Sequence, residues 1–517
     1  MTVNAVLTVD LGASAMRAGL FDRRGKLLAL ESRPVPGAER ANGVDEQDAE
    51  EWWRLLTRLV RDVLADKSAK AAKIDGIAIT GVTRSQVFVG PNGRASRPAM
   101  MWRDARAVAE AHTLRDEIAA SNLSAELADQ SPVSAYHPIA RMLWVRSNEP
   151  KVMEKTRWVL QPKDFLNFRL TGRVGGDIIS SSSLTDRRQH GPTNGGAVGQ
   201  LFAKLGLNAQ LVPDLGQPEL VLGPVQKALP APFDKLAGVP VFLSTMDTWC
   251  ATLGIGANQA GQAYDIAGTS EVVGLISKKQ ATVPGLITVP WGDGLTHIGG
   301  PSQAGADCLT WFAESLGGDT SVAGLKALVE TLDTVERQPL GPIFLPYLTG
   351  ERTPLWDPDA RGVFFGIDRA HGKADLLAAV LEGVAFSNRH VLELAEHAAG
   401  AQAGVIRIGG GGAQFDQWCQ IKADVTGREI VRTEMVEAGL FGAALLVLHG
   451  QKRFKNRAEA QKSLVKVEKR FKPDPKRHVA YSQIYPIYRD ISRDLSGRFR
   501  ALAKLRKDPA FVPKPKR

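Results

Sequence analysis

In AVLTVDLGASAMRAGLF the carboxylate of Asp10 closes the apolar run Ala5–Val9, and Gly12, Ala13 and Ser14 turn the chain before a second apolar run. About 250 residues later, AYDIAGTSEVVGLI repeats the arrangement with Asp265, Gly268, Thr269 and Ser270. Glycines in such turns let backbone N–H groups close on phosphate oxygens, and the Ser and Thr hydroxyls add donors. Asp10 cannot bind phosphate itself, but it can hold Mg2+, which bridges one or two carboxylates to phosphates while keeping several waters. Arg17 adds a positive charge nearby. Two such turns, one in each half of the chain, point to a metal-bound polyphosphate.

A second carboxylate, Asp247, follows the apolar pattern Gly238–Ser244 and opens a helix-like run. Helix N-terminal N–H groups favour its ionised form. It reads equally well as a helix cap and as the weak base that a loose phosphoryl-transfer transition state tolerates. The run Gly409–Gly412 after Val405–Ile408 suits close approach of backbone to a flat or anionic ligand, without the spacing of a dinucleotide fingerprint. No GxxxxGK[ST] loop occurs, and the nine His are scattered.

The elements that must position these groups alternate in kind. Ala5–Val9 and Ala18–Phe21 read as a hairpin, and Asp22–Gly25 turns into a third strand, Leu27–Leu30. Asp48-Ala49-Glu50-Glu51 forms a helix start, after which Trp52, Leu55, Leu56, Leu59 and Val60 recur at helical spacing. Ile74–Thr80 is a buried strand ending at Gly81, and helical patterns follow around 105–119 and 139–147; Gly191–Ala197 reads as a loop. From about Gly256 a second hairpin opens and strand–helix alternation resumes, with helices over Leu376–Ala395, Asp416–Val425 and Gly439–His449. Hairpins followed by strand–helix units, twice over, predict two α/β domains, divided at residues 1–255 and 256–490.

A length of 517 residues suits two such domains, and 44% hydrophobic with 23% charged residues is ordinary for a globular chain. The longest apolar stretch, Ala438–Leu448, is too short for a membrane span. No leader pattern opens the chain, so cytoplasm is the expected compartment. Cys250, Cys308 and Cys419 lie far apart and read as buried thiols. The net charge of +10 is localised: Lys452–Arg477 holds eleven Lys/Arg against three Asp/Glu, and Ile491–Arg517 nine against two. The remainder is mildly acidic, which argues against nucleic acid as a partner. Residues 491–517, ending in KDPAFVPKPKR, read as a basic, flexible tail.

Several stretches together resemble the FGGY family of carbohydrate kinases, most of all its xylulokinase branch. They run, in order, through DLGAS, GVDEQDAEEWW (Gly43–Trp53), RPAMMWRDAR (Arg97–Arg106), ARMLWVRSNEP (Ala140–Pro150), PKDFLNFRLTG (Pro162–Gly172) and GVPVFLSTMDTWCATLGIG. PYLTGERTPLWDPDARGVFFGI (Pro346–Ile367), LLAAVLEGVAF and IGGGGAQFDQWCQIKADVTG continue the match, which spans about Val6 to Arg489. The resemblance implies two ribonuclease-H-like domains of the actin/sugar-kinase/Hsp70 superfamily around a deep interdomain cleft. It further implies ATP and Mg2+ as cofactors and a small sugar or polyol as substrate, and it leaves a homodimer open. Carried over by position, Asp247 is the general base and Asp10 the metal-side carboxylate. Gly12, Ser14, Arg17, Gly268 and Thr269 line the phosphates, and Gly305, Gly411, Gly412, Ala413 and Gln414 the nucleoside. Arg84, Trp102, Asp104 and Tyr136 fall on the substrate side, where core packing or structural pairing is the competing role of the last three.

The departures bear on the substrate. Where xylulokinases carry Gln-Met-His after the strand glycine, this chain has Val82-Thr83-Arg84, so the His position holds Arg84, which donates hydrogen bonds but cannot accept them. The Arg-Glu pair of glycerol kinases is replaced by Gln86-Val87, which disfavours glycerol. Ala13 replaces a common Thr beside the phosphates, and Arg141 and Ser147 are smaller departures around Trp144. The expected activity is ATP-dependent phosphorylation of a hydroxyl on a ketopentose or related sugar. The alternatives are an erythritol-type or other alditol kinase and, more remotely, a non-catalytic sugar- or nucleotide-sensing protein of the same fold.

Overall fold

The computed structural model describes residues 3–37, 39–41, 43–129, 131–334 and 341–506. They form two compact units. Unit 1 comprises Met1–Gly256, Val289–Gly294 and Glu437–Val465; unit 2 comprises Ala257–Thr288, Leu295–Val436 and Lys466–Arg517. No helix among the described residues is long and apolar enough to cross a membrane.

Unit 1 is built on strands β1 (Val3–Leu11), β2 (Ala15–Asp22), β3 (Leu27–Pro34), β4 (Ala72–Gly81), β5 (Val221–Pro224) and β6 (Pro240–Phe242), in sheet order β5-β6-β4-β1-β2-β3. The first three form an antiparallel meander. The hairpin ends where Asp22 Oδ1 accepts the amides of Arg24 and Lys26, and Gly25 supplies φ +80°. β4 then lies parallel to β1 and β6 parallel to β4. Helix α1 (Ala49–Ala65) starts at Asp48, whose carboxylate accepts the Glu50 amide, and buries Trp52, Leu55, Leu56, Leu59 and Val60 against the sheet.

Unit 2 repeats this plan. Strands β7 (Gln262–Ala267), β8 (Glu271–Ser277) and β9 (Leu295–Pro301) make the meander, and β10 (Val405–Gly409) and β11 (Glu429–Thr433) add in parallel beyond β7. β12 (Val467–Phe471) closes the edge antiparallel to β11. In a seven-stranded sheet whose further edge strand is Ile287–Gly292, the order β9-β8-β7-β10-β11-β12 of the other six thus matches that of unit 1. Its helices include α4 (Ala306–Ser315), α5 (Lys373–Ala399) and α6 (Asp416–Thr426), which lie close to their sequence expectations where these were made.

Three features depart from the sequence reading. Helix α7 (Ala438–Gly450) belongs to unit 1 rather than to the second half of the chain, because glycines bring it against α3 (Asp247–Gly254). A Cβ on Gly442 would stand 1.8 Å from the Cys250 carbonyl oxygen, and one on Gly254 2.0 Å from that of Ala438. Second, Ile491–Arg506 is not a flexible tail but the end of helix α8 (Pro475–Arg506). Tyr481, Tyr485, Tyr488, Ser492 and Phe499 recur at helical spacing and are buried, and Tyr488 Oη lies 2.8 Å from Tyr347 Oη. The basic residues that suggested a solvated tail occupy the rest of this amphipathic helix; Lys507–Arg517, including KDPAFVPKPKR from Lys507 on, lie outside the described residues. Third, within the loop expected at Gly191–Ala197 a helix already begins at Gly196.

Candidate active site

Two carboxylates of unit 1, Asp10 and Asp247, lie close enough to influence each other's charge. Asp10 sits next to the end of β1, opposite Arg17 in β2 and Thr80 in β4. Asp247 is the first residue of α3, and Met246 just before it is bridged to Gly81 at the end of β4. Neighbouring strand ends therefore bring together carboxylates written 237 positions apart. Burial, then the charge of Asp247, pushes the Asp10 carboxyl up to about 7, with Arg17 opposing and Glu437 adding to the rise. Asp10 Oδ1 is sealed from solvent with no hydrogen-bond partner among the described residues. Arg17 is half exposed and reaches Glu437 at 3.4 Å.

Asp247 behaves differently from the expectation of a fully ionised, weakly basic group. Its Oδ1 accepts the Thr248 amide at 2.6 Å and the Thr248 hydroxyl at 3.2 Å. Burial outweighs both and pushes the carboxyl up to about 6, which makes it a stronger proton acceptor than an ordinary aspartate. Among the described residues no group of three or more His, Cys, Asp or Glu is placed to hold a metal ion. Mg2+ carried on a polyphosphate needs only one or two protein carboxylates, and the unpartnered Asp10 Oδ1 beside Asp247 fits that requirement.

The segment leading into Asp247 is pinned from several sides. Ser244 has φ +56°, an uncommon conformation for a residue with a side chain. The Leu243 carbonyl accepts Lys163 Nζ and Asn167 Nδ2, and the Thr245 carbonyl accepts Thr80 Oγ1 at 2.7 Å. Thr245 Oγ1 donates to Asp177 Oδ1 at 2.7 Å and lies 3.2 Å from Ser180 Oγ. Asp177 is in turn paired with Lys163, as is Asp164, whose carboxyl burial pushes up to about 6. Lys163, Asp164 and Asp177 are buried and were not anticipated as site residues.

The first turn is compact. Gly12 donates its amide to the Ala15 carbonyl, and a Cβ on Gly12 would stand 2.9 Å from that oxygen. Gln47 Nε2 reaches the Ala13 carbonyl and its Oε1 accepts the Trp52 indole N–H, tying the turn to α1. Ser14 is exposed.

In unit 2 the second turn gathers the remaining residues that the sequence assigns to the nucleotide side. Gly268 bonds across its turn to Ser270, and the amides of Ala306 and Asp307 at the start of α4 donate to the carbonyls of Gly268 and Thr269. A Cβ on Gly305 would stand 2.6 Å from the Thr269 carbonyl oxygen, so only glycine fits there. The Gly411–Gln414 turn stands over the end of β7: a Cβ on Gly412 would touch the Ala267 methyl at 3.0 Å, whereas Gly411 is exposed with open space around it. Gly268, Thr269, Gly305, Gly411, Gly412, Ala413 and Gln414 thus cluster at one end of the second sheet. Asp265, the counterpart of Asp10, is spent differently. Lys422 Nζ bridges it at 2.5 Å to Glu271 at 2.7 Å, and Asn388 binds both carboxylates, so this acid is already neutralised.

On the substrate side the expected residues part company. Asp104 does not open onto the site. It is fully buried, ion-paired to Arg106, and accepts the Asp45 amide, so its role is structural pairing. Trp102 is partly buried against the core of unit 1, with the Arg103 guanidinium 4.3 Å from its ring centre. Tyr136 is partly exposed and close enough to Arg141 to influence its charge. Arg84 is partly exposed and paired with Asp129 at 3.1 Å.

The chain is similar to known proteins over almost its whole length. Residues 5–254 match the N-terminal domain and residues 263–450 the C-terminal domain of the FGGY family of carbohydrate kinases. The chain belongs to the FGGY family. A xylulose kinase of Bacillus subtilis (strain 168) is 26% identical over 512 residues, covering 96% of this chain and 99% of that protein. Among solved structures, a gluconate kinase from Lactobacillus acidophilus superposes with a TM-score of 0.85 at 22% identity, over 97% of this chain and all of that one. A "xyloylose kinase" from Brucella ovis gives 0.83 at 26% identity, over 95% and 99%. As an FGGY carbohydrate kinase, the protein is an ATP-dependent enzyme acting on a small-molecule sugar.

Within that family frame, the sequence missed the Lys163–Asp177–Thr245 chain. Its one local signal is PKDFLNFRLTG, where two charged residues open a helix, Pro162–Thr171, whose other early positions are apolar. Charged groups on a buried helical face are seldom placed without a partner.

Proposed function

We propose that this protein transfers the γ-phosphoryl group of ATP to a hydroxyl of a ketopentose of the xylulose type or a related sugar. The observation that carries the reading is the half-buried Asp10–Asp247 pair, with Asp10 Oδ1 sealed from solvent and unpartnered among the described residues. Asp247 acts as the general base: it takes the proton of the acceptor hydroxyl as that oxygen bonds to phosphorus and ADP departs. With a carboxyl at about 6 it is mostly ionised at pH 7 and still a competent acceptor. Phosphoryl transfer depends chiefly on position and electrostatics, so a carboxylate base suffices. Asp10 would hold Mg2+, which when bound would offset the negative charge of the phosphates. Gly12, Ser14, Arg17, Gly268 and Thr269 are assigned to the phosphates, and Gly305 to the nucleoside. Gly411, Gly412, Ala413 and Gln414 supply the nucleoside side. Full-length similarity to xylulose kinases supports the ketose acceptor.

The test is a coupled ADP-release screen of pentuloses, hexuloses and alditols with wild-type protein and Asp247→Ala. Acceptor-dependent ADP release from a ketose, abolished in Asp247→Ala, is expected. Release that survives in the variant at near wild-type rate would overturn the assignment of the base, and a response confined to alditols would overturn the ketose.

A further inference from the structure

Arg84 stands where a neutral imidazole is usual in the branch this chain resembles, and the surrounding residues are arranged to hold it. Its backbone has φ +52°, a left-handed conformation uncommon for a residue with a side chain. The carbonyl of this strained residue is held by Arg141, a fully buried guanidinium that also donates to the Asp104 carbonyl at 2.8 Å. One buried cation thus fixes the main chain of a second, partly exposed one.

The side chain is held as firmly. Arg84 Nη2 bonds Asp129 Oδ2 at 3.1 Å and Ser131 Oγ at 3.5 Å. Asp129 is itself locked by the Ser183 hydroxyl and by the Ser131 amide at 2.9 Å. Among the described residues these are the only hydrogen-bond partners of the Arg84 guanidinium, and they engage one of its three nitrogens. Nε and Nη1 remain for a ligand, on a side chain that is 26% exposed.

His137 is kept neutral, its pKa lowered by burial to about 4, and both Arg84 and Arg141 act on it. Asp129 pairs with Arg84, Asp104 and Asp45 face Arg141, and Arg106 is shared between Asp104 and Glu46. The location is right for the acceptor. Arg84 lies three residues beyond Gly81, which bridges to Met246 beside Asp247, a span of at most about 10 Å. Thr83 Oγ1 donates to the carbonyl of Ser180, whose hydroxyl meets Thr245. The ion pair of Arg84 is to Asp129 rather than Asp247.

A donor-only planar fork with two free nitrogens suits a carboxylate, which accepts two parallel N–H bonds, better than hydroxyls that need acceptors as well as donors. We infer that the preferred acceptor is a polyhydroxy acid, a sugar whose carboxylate lies on the Arg84 fork while a distant hydroxyl meets Asp247. This rests on the reading of the site as a sugar kinase centred on Asp247, and it narrows the meaning of a related sugar.

The test compares neutral pentuloses and hexuloses with hexulosonates and aldonates in the ADP-release assay, using wild-type protein, Arg84→Gln and Arg84→His. The expected result is a wild-type kcat/KM at least tenfold higher for one of the acids than for any neutral sugar. Arg84→Gln should lose that advantage through KM, while kcat and the KM for ATP hold. Because the wild-type preference is read without any variant, a misfolded Arg84 variant does not decide the question. Preference for a neutral sugar, or acid preference unchanged in a folded Arg84→Gln, overturns the inference and leaves the kinase reading standing. No ADP release with any sugar or acid overturns the kinase reading and this inference with it.

Discussion

Replacing Thr245 by Val keeps the side-chain shape and removes the hydroxyl that holds the segment before Asp247. The lost bond runs from Thr245 Oγ1 to Asp177 Oδ1 at 2.7 Å, and a contact to Ser180 Oγ at 3.2 Å goes with it. A hydrogen bond to a charged group contributes about 1.5–3 kcal/mol net. Asp177 Oδ1 retains the amides of Ile179 and Ser180, and Oδ2 retains Lys163, so the acceptor is not stranded. A loss of about 2 kcal/mol follows, which for a unit of this size lowers Tm by about 5 °C. Freed at Oγ1, Thr245 lets Asp247 drift, and a misplacement approaching 1 Å lowers turnover by about 100-fold. Thr245→Val is therefore expected to reduce kcat at least about tenfold with the KM for ATP unchanged, and Thr245→Ser, which restores the hydroxyl, to recover most of it. Thermal melts followed by coupled ADP-release kinetics on the same preparations separate the two effects. A Val variant as active and as stable as wild type, or a Ser variant no better than Val, would refute the reasoning.

Two further predictions concern charge. Burial raises the Asp247 carboxyl to about 6, and the base must be ionised, so acceptor kcat/KM should rise with pH and reach half its plateau near pH 6; a profile flat from pH 5 to 8 would contradict this. In unit 2, Lys422→Met leaves Asp265 and Glu271 buried without their cation, and removing one partner of such a group costs about 3–5 kcal/mol. Its thermal unfolding should come well below that of the parent, and an unchanged Tm would contradict the reading of Asp265 as a structural rather than metal-side acid.

Much of this molecule was legible in local pattern. The meander strands, α1, α6 and α7 announce themselves by periodicity and caps, and Asp10 and Asp247 by apolar runs that end abruptly in a carboxylate. What was hidden depended on partners far away in the chain. Asp177 meets Thr245 across 68 positions, and no local window holds both. The place of α7 in unit 1 follows from glycines at 254 and 442 that matter only once two helices touch. The aromatic stripe of α8 was masked by the basic residues between its members. Asp104 stood in sequence between substrate contact and structural pairing, and the Asp45 amide that decides for pairing lies 59 positions away. The raised carboxyl of Asp247 was equally invisible: a helix N-terminus lowers a pKa, and only the surrounding packing shows that burial wins.

The central claim is that Asp247 removes the acceptor proton while Asp10 serves the phosphate side of the same centre. Rapid-quench single-turnover measurement of ATP-to-acceptor transfer by Asp247→Asn, with nucleotide binding followed in parallel, tests it most directly. The account predicts nucleotide affinity close to wild type and a transfer step slowed by about 100-fold or more, the usual contribution of a general base. A transfer step within a few fold of wild type, with nucleotide bound normally, would contradict it.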